Sequence, residues 1–394
     1  MIEFDERPAQ VGTNIKIIGV GGAGGNAINT MITNDLGGVE FIAANTDAGD
    51  LAKSLAKMKL QLGKKLTRGL GTGANPETGS RSAEESKDEI KSHLEGADMV
   101  FLAAGMGGGT GTGATPIIAK IAREMGILTL GIVTEPFPFE GRKRSDNAEG
   151  GIRHLREYVD TLIVIPNDKL CEIYGQSTLS AAFNQADNVL YQAAKAVSDI
   201  ITITGYINVD FADVKSVMQN MGYALMGTGI AEGENRAIHA ARAAIDNPLL
   251  NDISLAGCQS LLLNITAGND ILMDEFAEVS NVIVNETGKN ANIIMGTIFD
   301  DSMAGKISVT IIATGLSKDD EQGKIVDFTP QNPIKNHSIE NPRTPNDEIS
   351  DILKRLNIND PALDTEKKQQ ASAEETNRIQ PLRTDVPSFL KALD

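Results

Sequence analysis

With 394 residues, 41% of them hydrophobic, the chain can bury the cores of two or perhaps three domains. Its net charge of −17 argues against broad nucleic-acid binding and against charge-driven adhesion to an anionic membrane, so phosphate has to be held by local geometry. Two cysteines without metal-ligand spacing fit a reducing compartment, and no run approaches the ~18 apolar residues of a membrane span, so a cytoplasmic protein is expected.

A polar lead, residues 1–11, precedes the apolar stretch Asn14–Val20, which predicts a buried strand running into GVGGAGGNA and a helix from about Asn26 to Thr33. Gly19, Gly21 and Gly24 satisfy G-x-G-x-x-G between strand and helix, the dinucleotide fingerprint. A second strand, Phe41–Asn45, ends at Asn45, Thr46 and Asp47, and Asp47 stands near where a ribose-binding acid is expected. An NAD-dependent oxidoreductase is therefore the competing expectation. Against it stands Met99–Ala104, another strand, which leads into a loop where Gly105, Gly107, Gly108, Gly109, Gly111 and Gly113 fill six of nine positions. Glycine loses the most chain entropy on ordering, so this density calls for a reason, and backbone N–H groups that approach an anion closely supply one. Thr110 and Thr112 add hydroxyls there. A dinucleotide needs one pyrophosphate cradle, whereas two cradles on one sheet favour a nucleoside triphosphate. No G-x-x-x-x-G-K-[ST] occurs and neither loop holds a lysine, so phosphate charge falls to backbone N–H groups, helix N-termini and a Mg²⁺ ion.

The strand Ile127–Thr134, a loop EPFPFEGRKRSDNAEGG, a helix around Ile152–Tyr158 and the strand Thr161–Pro166 follow. Alternating strands and helices predict a parallel, doubly wound sheet, whose ligands bind beyond the carboxyl ends of the strands. Both glycine loops, Asn45 to Asp47, Glu140 to Arg144 and Asn167 fall at that edge. Arg142, Lys143 and Arg144 read equally well as a solvated charge run. From Thr178 to Thr202 there is no Gly or Pro, and Phe183, Ala186, Leu190, Ala193, Val197 and Ile200 recur at helical spacing, which predicts one long helix capped by Ser177 or Ser180. Asp210 and Asp213 then share one face of a starting helix turn, where capping is the plain alternative to chemistry. The segment Tyr223–Ala231 and strands at Gln259–Thr266, Ile293–Phe299 and Ile307–Ala313, alternating with helices at Asn235–Ile245 and Ile271–Val284, predict a smaller α/β domain. Beyond Gly315 the chain holds one of its 39 glycines but seven of its 14 prolines, in a polar tract that reads as a disordered linker. Val386, Phe389 and Leu390 in the last residues read as a docking peptide on that tether. The expected units are 12–177, a connecting helix 178–203, a second domain 204–316, the linker 317–380 and the tail 381–394.

The motifs GVGGAGGNA (19–27), GMGGGTGTGA (105–114), FEGRKR (139–144), PNDKL (166–170), NVDFADVK (208–215) and DVPSFL (385–390), in this order, resemble the FtsZ family of bacterial cell-division GTPases, relatives of tubulin. That resemblance implies GTP and GDP, Mg²⁺ and head-to-tail polymerisation into the filaments of the division ring at mid-cell, with division proteins that tether it to the membrane meeting the tail. It assigns phosphate and nucleoside contacts to Gly21, Gly22, Ala23, Gly24, Gly25 and Asn26, and to Gly105, Gly107, Gly108, Gly109, Thr110, Gly111 and Thr112. Glu140 and Arg144 are implied to bind ribose and phosphate, Asn167 to lie near sugar and base, Phe183 to stack on guanine, and Asp187 to accept from its N1–H and 2-amino groups. Asn45 and Asp47 are implied to face the γ-phosphate and its metal. Asp210 and Asp213, with Asn208 beside them, follow the far end of a long helix, about 30 Å from Phe183 and Asp187. If they act in hydrolysis they reach the nucleotide of the next subunit, through a contact that does not close on itself and so builds a filament.

Overall fold

The apolar runs of the first half form strands that are covered on both faces. The computed structural model describes residues 12–174, 178–203, 209–250, 255–288 and 291–316; the polar lead, Asn208, the linker and the tail with Val386, Phe389 and Leu390 lie outside the described residues. Strands β1 (Ile15–Val20), β2 (Val39–Asn45), β3 (Met58–Gln61), β4 (Met99–Gly105), β5 (Leu128–Thr134) and β6 (Thr161–Ile165) are all parallel, in the order β3-β2-β1-β4-β5-β6. β1 and β5 are buried at every position, as a central parallel strand must be. Alternate residues feed opposite layers. Met99 and Phe101 of β4 join α1 (Gly21–Thr33) and α8 (Leu179–Thr202) on one face; Val100, Leu102 and Ala104 pack on the other against α4 (Lys87–Leu94), α5 (Thr110–Glu124) and α6 (Arg142–Arg156).

The second half extends the same sheet. β7 (Gly222–Glu232) pairs in parallel with β6 from Thr161↔Gly222 to Ile163↔Ala224, and β10 (Lys306–Thr314), β8 (Ser260–Ala267) and β9 (Asn292–Phe299) complete a ten-stranded sheet. β10 runs antiparallel to both neighbours, whereas β8 and β9 are parallel. A third apolar cluster lies between these strands, α10 (Arg236–Ile245) and α11 (Met273–Thr287). The short helix α9 (Phe211–Met218) contributes Val214, Val217 and Met218 to the layer that holds α8.

Several boundaries differ from the sequence expectation, each for a packing reason. α1 starts at Gly21 instead of Asn26, and α5 at Thr110, so Gly111 and Gly113 are helical rather than loop residues. A Cβ on Gly113 would stand 1.9 Å from the carbonyl oxygen of Pro76, at the start of α3 (Pro76–Glu85). Glycine there sets how closely two helices approach. α6 begins ten residues before the expected helix; its Gly150 and Gly151 read as breakers, but a Cβ on Gly151 would come 2.4 Å from the Thr112 methyl. Thr178, rather than Ser177 or Ser180, caps α8, its hydroxyl accepting from the Ala181 N–H at 3.3 Å. Phe183 leaves the expected apolar face and is 41% exposed. The elements α2 (Ala48–Lys53), β3, α3, α4 and α7 (Asn167–Tyr174) were not expected.

Candidate functional site

The strand order reverses between β1 and β4, and in a doubly wound sheet the crevice beyond that switch point is where ligands sit. α1 leaves β1 without a loop, and Gly105 to Gly109 carry β4 into α5, so two helix N-termini converge at that point. Neither α1 nor α5 has an acidic residue in its first turn, and neither has a side-chain cap, which leaves their N–H groups to an anion. α6, next along the edge, opens with Arg142, Lys143 and Arg144, a cationic first turn that an anion in the crevice would balance.

The glycines fall into two sets. A Cβ on Gly19 would meet the Gly24 carbonyl oxygen at 2.3 Å, one on Gly24 the Ala103 oxygen at 2.3 Å, and one on Gly111 the Gly105 oxygen at 2.5 Å. These three let backbones touch. By contrast, a Cβ on Gly22, Gly25 or Gly108 would meet no other part of the protein within 4 Å, so the space beside them is open to a ligand. Gly21 and Gly107 have φ of +75° and +99°, where a side chain would be strained. Ala23 packs its methyl against Gly105, and Asn26 is exposed at the mouth.

The threonine hydroxyls are already engaged. Thr112 Oγ1 accepts from the Gly107 N–H at 2.8 Å and so fixes the turn, while Thr110 Oγ1 lies 2.6 Å from Thr46 Oγ1. At the end of β2, Asn45 is buried and its Oδ1 accepts from the Asp47 N–H at 3.1 Å; Asp47 caps α2, its Oδ1 accepting from Gly49 and Asp50. Asp47 Oδ2 makes no hydrogen bond among the described residues and is available to a cation. No cluster of three metal-ligating side chains occurs among the described residues. A cleft of about 170 Å³ runs between α1, the end of β2 and α2. Asn29 and Ser54, absent from the sequence-based site, line it, and the Asn29 Oδ1 accepts from the Leu55 N–H at 2.8 Å.

Across β5 and β6 the chemistry changes. The Glu140 carboxylate accepts from the Phe137 N–H at 3.0 Å and forms an ion pair with Arg144. Asn167 is buried, and its Oδ1 has no hydrogen-bond partner. Such an orphaned acceptor is expensive unless a ligand donates to it. Phe183, at the start of α8, stands edge-on to the buried Phe137 with ring centroids 5.1 Å apart and is itself exposed. One turn on, burial without an offsetting ion pair or hydrogen bond pushes the Asp187 carboxyl up to about 7. The residues present thus fit a nucleotide: an aromatic face, acceptors for a base, an ion pair for a sugar, open glycines for phosphates. From β6 to β2 the sheet order spans four inter-strand steps, about 19 Å at ~4.8 Å each, the reach of an extended nucleoside triphosphate.

Asp210 and Asp213 are not in this array. They sit at the start of α9, past the C-terminus of the 24-residue α8, which is about 36 Å long. Both are exposed, and Asp210 Oδ1 accepts from the Asp213 N–H at 2.8 Å, so Asp210 caps α9.

The model of the Tubulin/FtsZ family GTPase domain matches residues 14–175, and that of the FtsZ family C-terminal domain matches 222–317. The cell division protein FtsZ of Pseudomonas aeruginosa is 54% identical over 333 residues, 84% of each chain, and that of Coxiella burnetii is 46% identical over the whole of both. Among solved structures, an empty FtsZ dimer from M. jannaschii superposes with a TM-score of 0.75 at 42% identity, over 78% of this chain and 89% of that one. CetZ2 from Haloferax volcanii, at 21% identity over 78% of this chain and 94% of that one and a TM-score of 0.66, shares the fold. An NAD-dependent oxidoreductase is not supported: the G-x-G-x-x-G glycines Gly19 and Gly24 serve strand–helix packing, and the matching families are GTPases. With motifs, crevice and relatives in agreement, the chain belongs to the FtsZ family of tubulin-like GTPases.

Proposed function

We propose that the crevice holds GTP lengthwise across the sheet edge, and that hydrolysis is completed by a neighbouring copy of the chain. As a member of its family the protein binds and hydrolyses GTP with Mg²⁺ and forms filaments in cell division. Within that activity each element has its own part. Phe183, Asp187 and Asn167 take the guanine, Glu140 and Arg144 the ribose side, and Gly21, Gly22, Ala23, Gly24, Gly25 and Asn26 the phosphates together with Gly105 and Gly107 to Thr112. Asn45 and Asp47 stand toward the terminal phosphate, where Mg²⁺ when bound neutralises charge and orients the phosphates. Residues 12–177 act as the nucleotide unit, the helix 178–203 as the connector, and 204–316 as the unit that presents Asn208, Asp210 and Asp213. The carboxylates of Asp210 and Asp213, with Asn208 beside them, orient and polarise the attacking water. The tail 381–394 recruits membrane-tethering and regulatory division proteins through Val386, Phe389 and Leu390, which brings the cytoplasmic filament to mid-cell.

One observation carries the trans arrangement: Asp210 and Asp213 lie beyond the opposite end of α8 from Phe183 and Asp187, so one copy cannot place both sets on one nucleotide. A head-to-tail contact can, and repetition of it makes a filament. The test is phosphate release from GTP per subunit as protein concentration rises, with light scattering on the same samples. Turnover that starts at the threshold where scattering starts supports the proposal. A per-subunit rate that is flat with concentration refutes it.

A further inference from the structure

The C-terminal ends of α5 and α6 meet at one place, and both are cationic. Arg123 stands in the last turn of α5, and Arg153, His154 and Arg156 in the last turn of α6. A cation at a helix C-terminus complements the macrodipole, which accounts for each helix taken alone. It does not account for the way the two ends are joined. Arg123 Nη1 donates to the Glu157 carbonyl just past α6, and Lys120 lies over the Tyr158 ring, its Nζ 5.9 Å from the centroid, with His154 edge-on to the same ring at 5.5 Å. Arg156 sits over Tyr223 at the start of β7, its Cζ 4.6 Å from the ring centroid. Lys120, Arg123, Arg153 and Arg156 thus gather around two tyrosines in a chain whose net charge is −17. Nearby carboxylates are largely occupied: Glu149 pairs with Arg153 at 3.9 Å, Glu124 with Lys87 at 3.7 Å, and Asp160 accepts from the N–H groups of Thr129 and Asn220, while Glu157 is exposed. Among the described residues Lys120 and Arg123 have no ion-pair partner.

The chain itself supplies an anionic segment at this spot. β10 ends at Thr314, which pairs with Ala224, the residue after Tyr223, and the described residues end two further on, at the buried Leu316. The sequence continues Ser317-Lys318-Asp319-Asp320-Glu321. Three to five residues at up to ~3.5 Å each reach about 10–17 Å from Leu316. From Tyr223 the way to the unpaired cations is short: Arg156 lies on its ring, Glu157 follows Arg156, and the Glu157 carbonyl holds Arg123. We propose that Asp319, Asp320 and Glu321 dock on Lys120, Arg123 and Arg153, so that the linker leaves the sheet across the α5–α6 face, opposite α8, and presents the tail from that side. An exposed ion pair is weak by itself, but three adjacent carboxylates tethered within reach of their partners gain from effective concentration. The inference is independent of where the nucleotide lies.

The test is carbodiimide coupling, which joins a carboxylate to an amine at contact range, on the full-length chain below the concentration at which it scatters light, with linked peptides identified by mass spectrometry. Lys120 is the amine of the patch, and the Lys87–Glu124 pair is the internal reference. Equal parts of isotope-labelled and unlabelled chain distinguish links within one chain from links between two. Lys120 is expected to couple to residues 319–321 of its own chain, and several-fold less to the acidic pairs Asp347–Glu348 and Glu374–Glu375 farther along. In Arg123→Gln/Arg153→Gln, which keeps Lys120, and in wild type at about 0.5 M salt, that yield is expected to fall roughly fivefold relative to the reference. Thermal melting is the fold control; should the double variant melt below wild type, the salt comparison decides alone. Absence of a link to 319–321, equal yields at all three acidic clusters, or a yield unchanged by the deciding comparison overturns the proposal. Links of mixed mass overturn it too, since they make a second copy the occupant of the patch.

Discussion

Asp187 is the residue whose role the structure makes most measurable. Its carboxyl, pushed up to about 7 by burial, is half protonated near neutrality when nothing donates to it. Guanine offers two donors on the edge it would face, N1–H and the 2-amino group, and these stabilise the carboxylate and lower its pKa in the complex. Binding then releases a proton wherever the free protein still holds one. The sign follows: affinity rises with pH up to about 7 and flattens above it. One-proton linkage with the free-state value near 7 gives about 25-fold weaker binding at pH 5.5 than at pH 7.5, as long as the bound-state pKa lies below 5. GDP has phosphate groups that titrate in the same window, so the quantity to follow is the ratio of wild-type to Asp187→Asn affinity, in which nucleotide ionisation cancels. Competition binding at sub-assembly concentration measures it. A ratio that is constant from pH 5.5 to 7.5 refutes the assignment of Asp187 to the base. The same shift has a stability consequence. A carboxyl whose folded pKa is raised stabilises the fold fully below its unfolded value, and that stability is lost as pH rises through 7. At pH 8 Asp187→Asn is therefore expected to raise the melting temperature of the nucleotide-free protein, by a gain on the order of 2 kcal/mol once solvent access is allowed for.

Other outcomes follow from the same geometry. Asp210→Asn keeps the cap of α9, since Asn caps a helix as well as Asp, and both it and Asp213→Asn are expected to assemble but to slow phosphate release in preformed filaments; unchanged release in both variants would leave them as capping residues only. Gly113→Ala drives a methyl against the Pro76 carbonyl and is expected to destabilise by roughly 1–3 kcal/mol or more in chemical denaturation. Gly22→Ala, with no other part of the protein within 4 Å of the new methyl, is expected to leave the melting point unchanged or higher and to weaken GDP binding instead. Asn167→Leu removes a buried unpaired oxygen, so the nucleotide-free protein is expected to melt no lower than wild type while nucleotide affinity falls; a lower melting point together with unchanged affinity would show that Asn167 serves the fold.

Much of the first half was legible because buried parallel strands are unbroken apolar runs: Ile15–Val20, Met99–Gly105 and Leu128–Thr134 lie within a residue or two of where periodicity put them. Helix starts were not legible where glycine or charge masked them. Four glycines among Gly21 to Gly25 read as loop, yet tertiary packing onto β4 outweighs their low propensity and the helix begins at once. Arg142, Lys143 and Arg144 gave no sign of a helix N-terminus because they oppose its dipole. α3 did carry its signal, an Asn75 cap followed by Pro76 in the first turn. The contact of Thr46 with Thr110 was hidden for another reason: it joins the end of β2 to the start of α5, and no local pattern encodes that.

The glycines show why motif and mechanism separate here. Within GVGGAGG and GMGGGTGTG, identical residues answer to different physical demands: Gly24, Gly111 and Gly113 to backbone atoms 1.9 to 2.5 Å from a missing Cβ, Gly109 to a threonine hydroxyl, and Gly22, Gly25 and Gly108 to open space. Only the last three are free to be judged by the ligand. A single glycine fingerprint on one strand is therefore compatible with a dinucleotide or a triphosphate. What selects the triphosphate is the order of chemistry along the edge. It begins with Asn167, Phe183 and Asp187 beyond β6, passes two uncapped helix N-termini at β4 and β1, and ends at β2 with Asp47. A site with one base position and phosphate donors over three further strands has no place for the second nucleoside of a dinucleotide. A terminal phosphate fits at its outer end.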